Sequence, residues 1–174
     1  RLPIPRKKRD ELGVTVAFDF RGELVGSIRA VPLGHGLTLT ETLLASSPRF
    51  LCAEAHPAWE MGRLVMTPAF RGEPRVLRHC LFAALDYLNT QANVQTLYAA
   101  CTPVLARLYR RFGFAEFARE VALAGTEKKY SLISGPFDNV FSALSALGAP
   151  QDPAGLAGIS SHQHDASHHT GVLV

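Results

Sequence analysis

Residues 59–81 read WEMGRLVMTPAFRGEPRVLRHCL. Trp59–Met66 has the apolar density of a strand, and Pro68 and the pair Arg71–Gly72 end it in a turn. Pro74 suits the first turn of a helix, where its missing N–H costs nothing. Val76, Leu77, Cys80, Leu81, Leu85 and Leu88 then mark one helical face to about Asn89. A strand, a turn and a helix follow one another, with RGEPRV at the helix N-terminus, a place where anions bind.

Upstream, GVTVAFDFRGELVGSIRAVP reads as a hairpin. Val14, Val16 and Phe18 alternate, RGE turns, and Leu24 to Val31 returns. Residues 32–58 are looser, with a short helix expected around TETLLAS. Downstream, VQTLYAAC reads as a buried strand. Thr102 is placed to cap the next helix, Pro103 lies in its first turn, and Gly113 is a natural left-handed stop. FAEFAREVALAG and EKKYSLIS form a second hairpin, and residues 137–147 fit a last amphipathic helix. The expected organisation is one domain over residues 1–148, followed by a flexible Gly/Ser/His-rich tail over 149–174. The order predicts an α+β (α/β) sandwich with a mixed sheet.

Composition narrows the function classes. With 47% hydrophobic and 19% charged residues, the chain is an ordinary globular protein. No apolar run approaches the ~18 residues of a membrane span. Cys52, Cys80 and Cys101 are odd in number and widely spaced, so they form neither a disulfide framework nor a zinc site. A reducing cytoplasm is the expected compartment. The net charge of +3 is mild, but Arg63, Arg71, Arg75, Arg78, Arg107, Arg110 and Arg111 crowd the middle of the chain. They fit either an anionic partner or a plain solvated surface. Nucleic acid is a poor fit, because the basic residues lack interleaved aromatics. The tail SSHQHDASHH holds four of the seven histidines without a folded ligand geometry, so no metal site is expected there.

Two stretches carry a family resemblance. VMTPAFRGEPRVLRHCLFAALDYL followed by LYAACTPVLARLYRRFGF resembles the GNAT acyltransferases. Within that superfamily, ELVGSIRAVP followed by WEMGRLVM is similar to the acyl-homoserine-lactone (autoinducer) synthases and the N-acyl amino acid synthases, over about residues 14–133. Both groups pair a strand that carries Gly, Arg and Pro with a Trp-Glu-x-x-Arg strand, and Arg29, Glu60 and Arg63 fall on those positions. Autoinducer synthases also carry an aromatic and acidic N-terminal arm that helps bind S-adenosylmethionine. Residues before Val14 do not match it: either the arm was removed or the acceptor differs, which favours the N-acyl amino acid synthase side or a sibling group.

The resemblance implies a GNAT-like, mostly antiparallel mixed sheet flanked by helices. It also implies N-acyl transfer from an acyl carrier protein or acyl-CoA thioester to the amine of an amino acid or a derivative. The alternatives are an acetyl-CoA-dependent small-molecule acetyltransferase and a non-catalytic GNAT-like binding module. No tightly bound cofactor is expected; the acyl-phosphopantetheine thioester is a co-substrate.

Glu60 is the candidate base, since a carboxylate in an apolar strand is costly to bury without a purpose. A structural ion pair with Arg29 or Arg63 is the other reading. On a regular strand Glu60 and Arg63 point to opposite faces. The resemblance implies a bulge that brings them together. His56 is a weaker second base candidate. By resemblance Tyr109 protonates the leaving thiolate; otherwise it is a core tyrosine. Arg29 and Arg63 are the candidate substrate-binding residues. Arg71, Gly72, Arg75 and Arg78 are the candidates for gripping the carrier's phosphopantetheine. Pro74 and Val76 stand where acetyl-CoA users place small residues, so a pyrophosphate should be held poorly and a carrier protein favoured. Leu97, Ala99, Val104 and Met66 either line an acyl tunnel or belong to the core.

Overall fold

The computed structural model describes residue 8 and residues 11–46, 57–146 and 159–163. Seven strands form one sheet in the order β5-β6-β4-β3-β2-β1-β7. Strands β1 (Val14–Phe20) and β2 (Glu23–Pro32) are the first hairpin, closed at Arg21–Gly22, where both residues have positive φ. Helix α1 (Leu39–Ala45) follows, capped by Thr38 and Glu41 in a reciprocal capping box. Strand β3 (Ala58–Met66) leads through a 3-10 turn at Pro68–Phe70 into helix α2 (Pro74–Gln91). Strand β4 (Thr96–Cys101) leads into helix α3 (Pro103–Tyr109), which Gly113 stops after a further 3-10 turn, in the left-handed conformation. Strands β5 (Ala115–Ala122) and β6 (Lys129–Pro136) are the second hairpin, and helix α4 (Phe137–Ala146) follows directly.

All neighbours are antiparallel except β3 and β4, which run parallel. The mixed, mostly antiparallel sheet is the one expected. Strand β7 (Ile159–Gln163) pairs with β1, within the segment that the composition marks as a tail. Ser and His carry little strand signal, and the register comes from β1's open edge.

The sheet is covered on both faces. On one, Val16, Phe18, Val25, Ile28 and Met61 pack with Cys80, Ala84, Leu85 and Leu88 of α2 and with Phe137, Val140 and Leu144 of α4. On the other, Leu43 of α1 packs with Ala118, Val121 and Leu132. Alternation along each strand divides the side chains between these layers. Among the described residues, no helix is long and apolar enough to cross a membrane.

Candidate active site

Two features of β3 open the sheet at its centre. The first is a bulge. Arg29 pairs with Gly62 and Ser27 with Val65, so β3 has one residue more than β2 between these pairs. Arg63 takes up that residue in the left-handed region, at φ 51. The second is a parting from β4. The parallel ladder runs only from Ala58–Thr96 to Glu60–Tyr98. Beyond it the facing main-chain groups of β3 and β4 no longer pair with each other.

A cavity of about 620 Å³ fills the gap. Its mouth lies at Phe70–Pro74 and Leu105; Leu81, Leu85, Ile133, Val140 and Leu144 line it between α2, α4 and the sheet. Of the four residues that the sequence left between tunnel and core, Met66 and Ala99 line it. Leu97 and Val104 do not: Leu97 is fully buried in the core, and Val104 is 66% exposed. A second cavity of about 420 Å³ opens towards α1 and is lined by Arg29, Leu37, Thr38, Thr42 and Glu60 among others. The two cavities share Gly62, Arg63 and Ala100.

The bulge therefore places Glu60 and Arg63 on one cavity, together with Arg29. Among the described residues Glu60 pairs with neither arginine, so the ion-pair alternative is not what the structure shows. Among the described residues the Glu60 carboxylate accepts the backbone N–H groups of Leu39, at 3.1 Å, and of Thr40. These are orphan donors in the first turn of α1, and a carboxylate there also meets the positive end of the helix dipole. Glu60 is 9% exposed. Arg29 donates through Nε to the Thr15 hydroxyl at 3.4 Å. Glu41, one turn along, accepts N–H groups from Gly34, Gly36 and Thr38, and so folds the loop over residues 33–38 around itself. Burial alone would raise its pKa, but these hydrogen bonds outweigh it and the net shift is downward.

Tyr109 lines the larger cavity, with Phe112 and Phe114 around its ring. Burial, and then the neighbouring Cys101 thiol, push its pKa up to about 12. Cys101 lines the same cavity, and its thiol is pushed up to about 11, by burial first and Glu116 second.

At the α2 N-terminus, Arg71 and Gly72 line the cavity mouth, and Arg71 Nε donates to the Met66 carbonyl at 3.2 Å. Arg75 and Arg78 lie on the same helix but line neither cavity. No side chain caps α2. Val76 does not crowd this loop, contrary to the sequence reading: its side chain is 6% exposed and packs into the core. Of the two positions, Pro74 alone takes an N–H away from the α2 N-terminus. His56 and the side chains of the histidine-rich tail lie outside the described residues. Among the described residues, no cluster of three or more His, Cys, Asp or Glu is placed to hold a metal.

Sequence spacing missed the α1 contact to Glu60, because the partners lie about twenty residues away. A capping-box sequence at Thr38–Glu41 was the available signal.

Residues 4–134 match the family of the N-acyl amino acid synthase FeeM. No curated protein sequence matches the chain. Solved structures share the fold. The acyl-homoserine lactone synthase LasI is 17% identical with a TM-score of 0.54, covering 72% of this chain and 66% of its own, just under two thirds. BjaI, a CoA-dependent acyl-homoserine lactone synthase solved with SAM and isopentyl-CoA, is 15% identical with a TM-score of 0.57, covering 86% and 72%. FeeM, from uncultured soil microbes, is 14% identical with a TM-score of 0.56, covering 76% and 72%.

Proposed function

This chain belongs to the family of the N-acyl amino acid synthase FeeM, and from that premise we propose that it moves a fatty acyl group from a phosphopantetheine thioester to the amine of an amino acid or a close derivative. The observation that carries this reading is the pair of cavities meeting at Gly62, Arg63 and Ala100. The larger suits the acyl chain, with each buried methylene worth about 0.8 kcal/mol. The smaller, with Arg29, Arg63 and Glu60, suits a zwitterionic acceptor. In this reading a guanidinium holds its carboxylate.

The pantetheine arm enters where β3 and β4 part, its amides taking up main-chain groups that the ladder leaves unpaired. Glu60 keeps lone pairs beyond the two N–H groups it accepts, and through a water it takes the proton that the amine loses. The amine nitrogen bonds to the thioester carbon and the C–S bond breaks. Tyr109 hands its proton to the departing sulfur. A phenol whose pKa stands near 12 is protonated at neutral pH, as a proton donor must be. Holding both reactants in register supplies much of the rate, about 7–11 kcal/mol in favourable cases.

The donor in this reading is an acyl carrier protein in a cytoplasmic setting. Pro74 removes one N–H from the phosphate site, and a single phosphate asks less of that site than a pyrophosphate. Arg71 and Arg75 are exposed at the α2 N-terminus, Arg107 on α3, and Arg110 and Arg111 on the turn after it; together they would speed capture of an acidic carrier. The test is transfer from matched acyl-carrier and acyl-CoA thioesters to a panel of amino acids, read by mass spectrometry. N-acyl amino acids formed faster from the carrier support the reading. Acetyl-CoA as the sole productive donor would overturn it.

A further inference from the structure

Every glycine from Gly22 to Gly135 except one has a backbone reason to be glycine. At Gly26 and Gly135 an added Cβ would come within 2.2 Å of the Val65 carbonyl oxygen and 2.9 Å of the Gly113 carbonyl oxygen. The others have φ between +65° and +92°. Gly62 is the exception. Its φ is not positive, and an added Cβ would meet only Glu60 Oε1, at 3.5 Å, an ordinary contact. A glycine inside a strand weakens it, and often marks a close approach by a ligand. The fold has room for a side chain at position 62 and the sequence leaves it out.

That empty space lies where both cavities meet. Gly62 lines the two of them, and so does Ala100 on the strand that parts from β3. Glu60, two residues back on the same face, is the candidate base. We propose that Gly62, with Ala100 across the gap, is the window through which the acceptor amine reaches the thioester carbon, and that the missing Cβ makes room for the tetrahedral carbon there. This rests on reading the cavities as donor and acceptor sites. In the step, the amine nitrogen bonds to the carbonyl carbon and the C=O pair moves onto oxygen. The pair returns as the C–S bond breaks; the amine's proton goes to the base, and the sulfur gains a proton. The carbon passes from three substituents in a plane to four around it, and the added bulk falls on the acceptor side, over Gly62. Gly62 is then a positioning residue: it acts by leaving the reacting atoms space.

The test uses the full chain with Gly62→Ala, Gly62→Val and Ala100→Val. It follows thermal melting, N-acyl product and free thiol released from the acyl-carrier thioester. Gly62→Ala should melt at or above the wild-type temperature, yet lose at least tenfold in kcat for transfer with the thioester KM little changed. Water is smaller than an amino acid, so thiol release should outrun N-acyl product in the variants and match it in wild type. The loss should deepen from alanine to valine and be worst for the bulkiest acceptors. Wild-type kcat in Gly62→Ala, or a loss that tracks a falling melting temperature, would overturn the window. A wild-type chain that transfers to no acceptor would overturn the donor–acceptor assignment itself, and the window with it.

Discussion

The proposed function gives Glu60 two duties, and they can be separated by experiment. Its oxygens hold two N–H groups of α1, and the residue also lines the smaller cavity. Glu60→Gln keeps one acceptor oxygen but turns an amide N–H toward a backbone N–H. It should cost about 1–3 kcal/mol in denaturant unfolding and about 100-fold or more in acyl transfer. A variant with full transfer would leave Glu60 as a helix-capping residue alone. Tyr109→Phe should behave differently. Among the described residues nothing hydrogen-bonds its hydroxyl, so melting should hold while kcat falls about 100-fold. Burial also couples stability to pH. It pushes the Cys80 thiol from 9.0 up to about 12. Cys101 rises to about 11 and Tyr109 to about 12. In each case the unfolded state gives up its proton first. Stability is therefore intact below pH 9 and is lost as the pH climbs towards the folded values. Each group adds up to about 1.4 kcal/mol per pH unit to the slope. Denaturant titrations at stepped pH should show the decline, and Cys80→Ala should make it shallower.

The elements around the site were legible to different degrees. Periodicity of two and of 3.6 places β1 to β6 and the helices, because half-buried strands and one-sided helices must alternate in those ways. Pro74, Thr102 and Gly113 mark their ends by chemistry that acts within a few residues. The cavities were not legible, since they arise from where β3 leaves β4, a property of two strands far apart in sequence. Val76 shows the limit of motif reading: its position matches a loop residue, while its side chain belongs to the core. The α2 N-terminus should respond accordingly. Pro74→Ala returns an N–H to the phosphate site and should tighten CoA binding by calorimetry, with little change in melting. Val76→Ala should leave CoA binding alone and cost about 1.5–2 kcal/mol of stability, from methyl groups lost in a packed interior. Equal CoA affinity in Pro74→Ala would remove the loop as the reason for preferring a carrier.

At the scale of the molecule, the proposed function makes the sheet the partition between donor and acceptor, with α2 and α4 setting how deep the donor side runs. From Pro74 at the mouth to Leu85, α2 covers about 16 Å along its axis. Leu85, Val140 and Leu144 line the far part of the cavity and are themselves almost wholly buried. An acyl chain that enters at the mouth has to end against them. Chain-length preference should then be written in α4, although no residue of that helix takes part in the chemistry. Leu144→Phe advances the end wall. Each methylene it excludes forfeits about 0.8 kcal/mol, roughly fourfold in kcat/KM. The expected result is a graded fall for the longest acyl groups and wild-type transfer of short ones, measured over a ladder of acyl-carrier thioesters. Overpacking of this kind costs about 1–3 kcal/mol of stability. That loss would slow all chain lengths together, so the ladder tells it apart from a moved wall. An unchanged preference in a folded Leu144→Phe protein would mean that the acyl chain leaves the cavity by another route.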